Sequence, residues 1–197
     1  MRAVLRLPAL LALAAALGAC TASMGAQTPV VGARTALDAH VLRRYAAITD
    51  EPFPIEGVDP RDIKARNVRQ VVDYPTEELP GTLVVDPYDR FLYLVMEGGK
   101  AMRYGVGVGK AGLEFTGEAT VARKASWPRW TPTPDMIRRD PERYASWAGG
   151  MDGGERNPLG ARALYLFKDG KDTLYRIHGT TEPWSIGEAV SSSYAGF

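Results

Sequence analysis

With 197 residues, 45% hydrophobic and 24% charged, the chain has the length and composition of one ordinary globular domain with flanking segments. A net charge of +1 removes the electrostatic case for nucleic acid as a partner. The single cysteine, Cys20, excludes an internal disulfide and a cysteine-rich zinc site, and two histidines, His40 and His178, are too few for a histidine-built metal site.

Residues 1–20 read as a targeting segment. Arg2 and Arg6 supply positive charge, residues 7–17 are almost wholly Leu and Ala around Pro8, and small residues lead to Cys20. That order is a removable export signal, too short in its apolar part to span a bilayer comfortably. Leu17-Gly18-Ala19-Cys20 also resembles the bacterial lipoprotein cleavage site. The resemblance implies that Cys20 becomes the new N-terminus and that its sulfur carries a lipid anchoring the protein to a membrane. A plain signal cut near Ala22 or Ala26, with an incidental cysteine, is the alternative. Either reading places the protein outside the cytoplasm, in the periplasm.

Residues 21–80 form a tether and lead-in with no readable function. Residues 21–31 are small and polar. Residues 35–48 carry Leu37, Val41, Tyr45 and Ile48 at helical spacing, with Thr35 as a cap; His40 lies there as a solvated or packing residue. Pro52, Pro54, Pro60, Pro75 and Pro80 forbid a long element over residues 50–80, which should wrap onto the domain with a short strand at 68–73.

From Gly81 the pattern becomes that of β structure. The spacing predicts strands at 82–85, 91–96, 101–108 and 119–125, with a turn at Asp86-Pro87-Tyr88-Asp89 and a hairpin at Glu97-Gly98-Gly99-Lys100. Gly105, Gly107 and Gly109 alternate along the strand that starts at Ala101; with no Ser or Thr after Lys110 they suit close backbone approach better than a phosphate loop. Residues 126–151 are a long insertion with four prolines, three tryptophans (Trp127, Trp130, Trp147) and one short helix at 136–144, as in a functional lid. Strands at 161–167 and 173–177 make a second hairpin around Lys168-Asp169-Gly170-Lys171, and a helix begins at Ser185. These elements predict a mainly β domain, sandwich-like or barrel-like, with short helices.

His178 ends the last strand, beside Gly179-Thr180-Thr181. A histidine so placed can reach into a cleft, and an ordinary pKa near 6.5 suits proton transfer. Residue types alone favour a buried, hydrogen-bonded histidine over a catalytic one.

The motifs Trp127-Pro128-x-Trp130-x-Pro132, Met136-Ile137, Asn157-Pro158-Leu159-Gly160-Ala161-Arg162-Ala163-Leu164-Tyr165-Leu166 and Tyr175-Arg176-Ile177-His178-Gly179-Thr180, in that order, resemble the catalytic domain of L,D-transpeptidases. The likeness covers about residues 81–192, within a domain taken as 81–197. It implies the β-rich L,D-transpeptidase fold and an enzyme whose cysteine thiolate attacks a peptidoglycan stem peptide after its third residue and expels D-alanine. A second stem peptide's amine then resolves the acyl-enzyme into a 3→3 cross-link, or water hydrolyses it. Some relatives attach a lipoprotein to the wall instead. No metal or organic cofactor is required. His178 matches the family's proton donor and acceptor, and Gly179 and Thr180 match its neighbours. Arg162 is implied in substrate contact or structure, and Trp127 and Trp130 in a lid over the peptide or in packing.

One departure stands out. The family pattern places Gly-Cys near Ser193-Tyr194, whereas the sequence reads Ser191-Ser192-Ser193-Tyr194-Ala195-Gly196-Phe197. The phenol of Tyr194, with a pKa near 10, does not replace a thiolate. The domain is therefore expected to be incomplete at its C-terminus and inactive as it stands. The alternatives are a non-catalytic peptidoglycan-binding protein and a structural envelope lipoprotein.

Overall fold

The computed structural model describes residues 39–188, apart from the side chains of Lys110 and Ala111. The signal, the tether and Cys20, and the C-terminal residues from Ala189 with Tyr194, lie outside the described residues.

The described chain opens with a short exposed helix, α1 (Ala39–Arg44). The helical spacing runs to Ile48, but the helix stops earlier because Ile48 exchanges both backbone hydrogen bonds with Ile55, at 2.9 Å each. The chain then returns beside α1, where the Tyr45 hydroxyl accepts from the Arg69 N–H at 2.9 Å.

The first sheet holds β1 (Gln70–Asp73), β2 (Leu83–Asp86), β3 (Phe91–Met96) and β4 (Lys100–Gly105), all antiparallel in the order β1-β4-β3-β2. Gly98 and Gly99, at φ 71° and 67°, make the tight β3–β4 turn, a geometry that costs most other residues steric strain. Asp86 Oδ1 accepts from the Tyr88 and Asp89 N–H groups and closes the predicted β2–β3 turn. The edge strand β1 comes from the lead-in. It is followed by Tyr74, which stacks on Tyr93 with ring centroids 4.4 Å apart. Burial pushes the Tyr74 phenol above its ordinary pKa.

The strand predicted to run to Val108 ends at Gly105. There the lead-in crosses so closely that a Cβ on Gly105 would lie 2.6 Å from the Asn67 Cβ. Close backbone approach is the role of this glycine.

The second sheet holds β5 (Thr120–Ser126), β6 (Arg162–Lys168) and β7 (Lys171–His178), antiparallel in that order. Between β5 and β6 the insertion forms α2 (Pro134–Arg139) and α3 (Pro141–Tyr144) instead of one helix. Asp140 leaves helical geometry ahead of Pro141, as residues before proline do, and its side chain caps α3 by accepting from the Arg143 N–H. Trp130, Met136, Tyr144 and Leu159 form the buried core of this insertion.

The two sheets meet through Leu92, Val106 and Val108, packed with Leu83, Val85, Tyr104 and, from β7, Ile177. The result is the mainly β, two-sheet architecture the strand pattern predicts. Over the described residues no helix starts at Ser185. Pro183–Ser185 is one 3-10 turn and Ile186 is extended, because Asn67 Nδ2 donates to the Ile186 carbonyl and the Gly187 N–H donates to Val106. These tertiary bonds pull the segment straight across the lead-in and the first sheet.

Candidate active site around His178

His178 is half-buried at the last position of β7, paired with Ala163 of β6. Its Nδ1 lies against the Gly179 carbonyl, which only accepts, so Nδ1 is the donor in this contact. With Nδ1 so engaged, proton exchange at this ring falls to Nε2.

Two cavities meet at this ring. The first, of about 480 Å³, opens between the two sheets. Its walls are Leu83, Leu92 and Leu94 on one side and Leu164 and Ile177 on the other, and His178, Gly179 and Thr180 stand at its edge. The second, also about 480 Å³, lies under the insertion and is lined by Trp130, Leu159, His178 and three arginines.

The loop after His178 is placed by the Asn157-Pro158-Leu159-Gly160 turn. Asn157 is buried, at 1% exposure. Its side-chain amide donates to the carbonyls of Pro128 (3.0 Å), Met151 (3.2 Å) and Asp152 (3.0 Å), and its Oδ1 accepts from the Leu159 N–H at 2.9 Å. One side chain thus ties both ends of the insertion to the start of β6. Gly160 follows at φ 63°, and a Cβ there would meet the Gly179 carbonyl carbon at 3.0 Å. The turn therefore sits directly under the backbone beside His178. A buried side-chain amide serving main-chain groups leaves no periodic trace in a sequence, so the Asn157-Pro158-Leu159-Gly160 motif alone does not announce this role.

The other residues singled out separate into three places. Trp130 is core and roofs the second cavity, its ring 6.1 Å from that of Tyr144. Trp127 faces the lead-in: its Nε1 donates to Glu51 at 3.0 Å, and its ring packs edge-on against Phe53 at 5.0 Å. Arg162 is exposed and ion-paired with the same Glu51. The structure thus brings His178, Gly179 and Thr180 together at one cleft, and it leaves Trp127 and Arg162 bound to the lead-in. The Arg162 hydrogen bond is the foremost cause holding the Glu51 carboxyl below its usual range, with the Trp127 bond second. Among the described residues no group of three or more His, Cys, Asp or Glu side chains is placed to hold a metal ion.

The YkuD family, described as the L,D-transpeptidase catalytic domain, matches residues 80–193, more than half of the chain and all of the His178 segment. This chain belongs to the L,D-transpeptidase catalytic-domain family. It is 39% identical over 88 residues to the Escherichia coli (strain K12) protein called "Probable L,D-transpeptidase ErfK/SrfK", a match covering 44% of this chain and 27% of that one. With "Probable L,D-transpeptidase YcfS" of the same organism it shares 30% over 146 residues, 69% of this chain and 44% of the other. The chain therefore spans less than half the length of these two relatives. A Brucella melitensis crystal structure described as a "Probable carnitine operon oxidoreductase caia" is 51% identical, with a TM-score of 0.56 over 69% of this chain and 84% of that one.

Proposed function

We propose that this domain takes peptidoglycan stem peptides at the cleft beside His178, and that His178 is the proton-transfer partner of a cysteine nucleophile. In that reaction the histidine accepts the thiol proton at Nε2, and the thiolate attacks the carbonyl after the third peptide residue. The tetrahedral intermediate collapses with the proton delivered to the departing D-alanine amine. A second peptide's amine, or water, then releases the acyl group and restores the thiol. Backbone N–H groups beside the cysteine stabilise the oxyanion. Gly179 and Thr180 line the peptide's path, with Trp130 above it. Trp127 and Arg162 hold the lead-in against the domain.

The observation that carries this reading is the placement of His178: last residue of β7, Nδ1 engaged by the Gly179 carbonyl, at the meeting of two cavities. The thiol is expected near Tyr194, and Cys20 is the sole cysteine of the sequence. Turnover therefore requires a thiol that the present residues do not supply at the histidine. Muropeptide analysis tests this directly. The unsubstituted chain should make no 3→3 cross-links, and the double substitution Ser193→Gly with Tyr194→Cys should introduce them. Equal cross-linking by both would overturn the cysteine–histidine mechanism.

Tyr194, standing where the family pattern has its cysteine, favours a second reading, in which the cleft binds wall peptides without turnover. Retention on purified peptidoglycan, lost on blocking the cleft, is its signature.

The envelope location belongs to the same proposal. The Arg2–Arg6 charge, the apolar run and Leu17-Gly18-Ala19-Cys20 support export and lipid attachment at Cys20. Cys20→Ala should move the protein from the membrane fraction to the soluble periplasm; an unchanged membrane fraction would overturn the anchor.

A further inference from the structure

We infer that the arginine-lined cavity beneath the Trp130 insertion is a carboxylate site, holding the free carboxylate at the C-terminal end of the peptide that His178 works on. The inference rests on the stem-peptide reading above.

Register builds the site. Arg123 of β5 pairs with Tyr165 of β6, which pairs with Arg176 of β7. The three side chains form one row across the sheet. Both guanidinium groups stack on the Tyr165 ring, Arg123 at 4.3 Å and Arg176 at 4.1 Å from its centroid. This sandwich fixes the planes of two groups that would otherwise be mobile. The neighbouring row is Ala125, Ala163 and His178. Its two alanines leave room beside the imidazole. The rows are two residues apart along the strands, about 6.6–6.8 Å. Side chains projecting from adjacent rows can converge on neighbouring groups of one peptide, whose consecutive Cα atoms are about 3.8 Å apart.

Charge selects the ligand. Arg176 is held in a two-pronged pair by Asp172, at 2.7 Å on both oxygens. Arg129, also in the wall, pairs with Asp152 and with the Gly149 carbonyl. Among the described residues no carboxylate lies within 4.0 Å of Arg123, which is exposed to the cavity's solvent. Asp172 also acts electrostatically on Arg123, so three guanidinium groups share two carboxylates and one positive charge remains. A singly charged planar carboxylate matches that remainder and the guanidinium fork; a doubly charged phosphate would leave negative charge uncompensated.

Binding of N-acetyl-L-lysyl-D-alanine and of its C-terminal amide, followed by isothermal titration at low salt, tests the site on the full chain, Arg123→Gln and Arg123→Lys. The native chain should bind the free acid about tenfold more tightly than the amide, the size of effect typical of one charge-assisted hydrogen-bond pair. Arg123→Gln should bind both probes at the amide's level. Arg123→Lys keeps the charge without the fork and should lose about threefold of the preference. It decides the matter on that criterion if Arg123→Gln does not fold. Equal binding of acid and amide by the native chain, or a preference untouched in both variants, overturns the carboxylate site and leaves the stem-peptide reading standing. Failure of the native chain to bind either probe overturns both.

Discussion

Glu51 and Arg162, 111 residues apart in the sequence, form an ion pair on the face of the domain. The same carboxylate accepts from Trp127 Nε1. A segment with no readable function thereby holds the first residue of the insertion and the first residue of β6. Glu51→Gln should lower the thermal midpoint by a few degrees and shift tryptophan emission, because Trp127 loses a charged acceptor. A double-mutant cycle with Arg162→Gln checks the pairing; strict additivity would contradict it.

Asn157 carries more of the fold than any surface pair. Asn157→Ala removes four hydrogen bonds, two of them buried, and strands the Pro128 carbonyl and the Leu159 N–H, while the Met151 carbonyl keeps the Trp130 N–H. Unsatisfied buried groups cost about 1–3 kcal/mol each, so a loss of at least about 2 kcal/mol is expected. Total stabilities are about 5–15 kcal/mol. Urea unfolding measures the loss, and limited proteolysis should cut first within residues 127–156.

Gly160→Ala separates stability from binding. The left-handed φ of 63° costs about 1–2 kcal/mol for a residue with a Cβ. The added methyl also presses on the Gly179 backbone. Peptide affinity should fall by more than the loss of stability explains; an unchanged affinity would detach this turn from the cleft.

Acid should weaken the fold through two carboxylates. The hydrogen bond from Arg176 is the main cause holding Asp172 below its ordinary pKa, and Arg162 does the same for Glu51. A carboxyl group with a lower pKa folded than unfolded stabilises the fold above its unfolded value, near about 4. That contribution is lost as pH falls through the folded value. The thermal midpoint should be flat from about pH 5 to 7 and fall below about pH 4, with a shallower fall in Asp172→Asn. An equal fall in both proteins would remove Asp172 from the explanation.

Much of the β framework was legible because its signals are local. The strand predicted at 91–96 is β3 residue for residue, and the Gly98-Gly99 and Asp169-Gly170 pairs mark the two hairpins where they occur. His178 at the end of β7 follows from the same strand alternation. What stayed hidden depends on distant contacts. Nothing near Trp127 or Arg162 announces Glu51. The single helix read over 136–144 splits at Asp140–Pro141, and the helix read from Ser185 yields to hydrogen bonds from Asn67 and to Val106. The Arg123–Tyr165–Arg176 row needs the register of three strands, which no single segment encodes.

The most direct measurement is an NMR titration of the His178 ring with a disaccharide-tetrapeptide of the wall. Saturable shifts of the His178 resonances, with Gly179 and Thr180 amides moving at the same midpoint and His40 unmoved, are the predicted result. Saturable binding that leaves the His178 ring unperturbed, or no binding at all, would contradict a peptide site at this histidine.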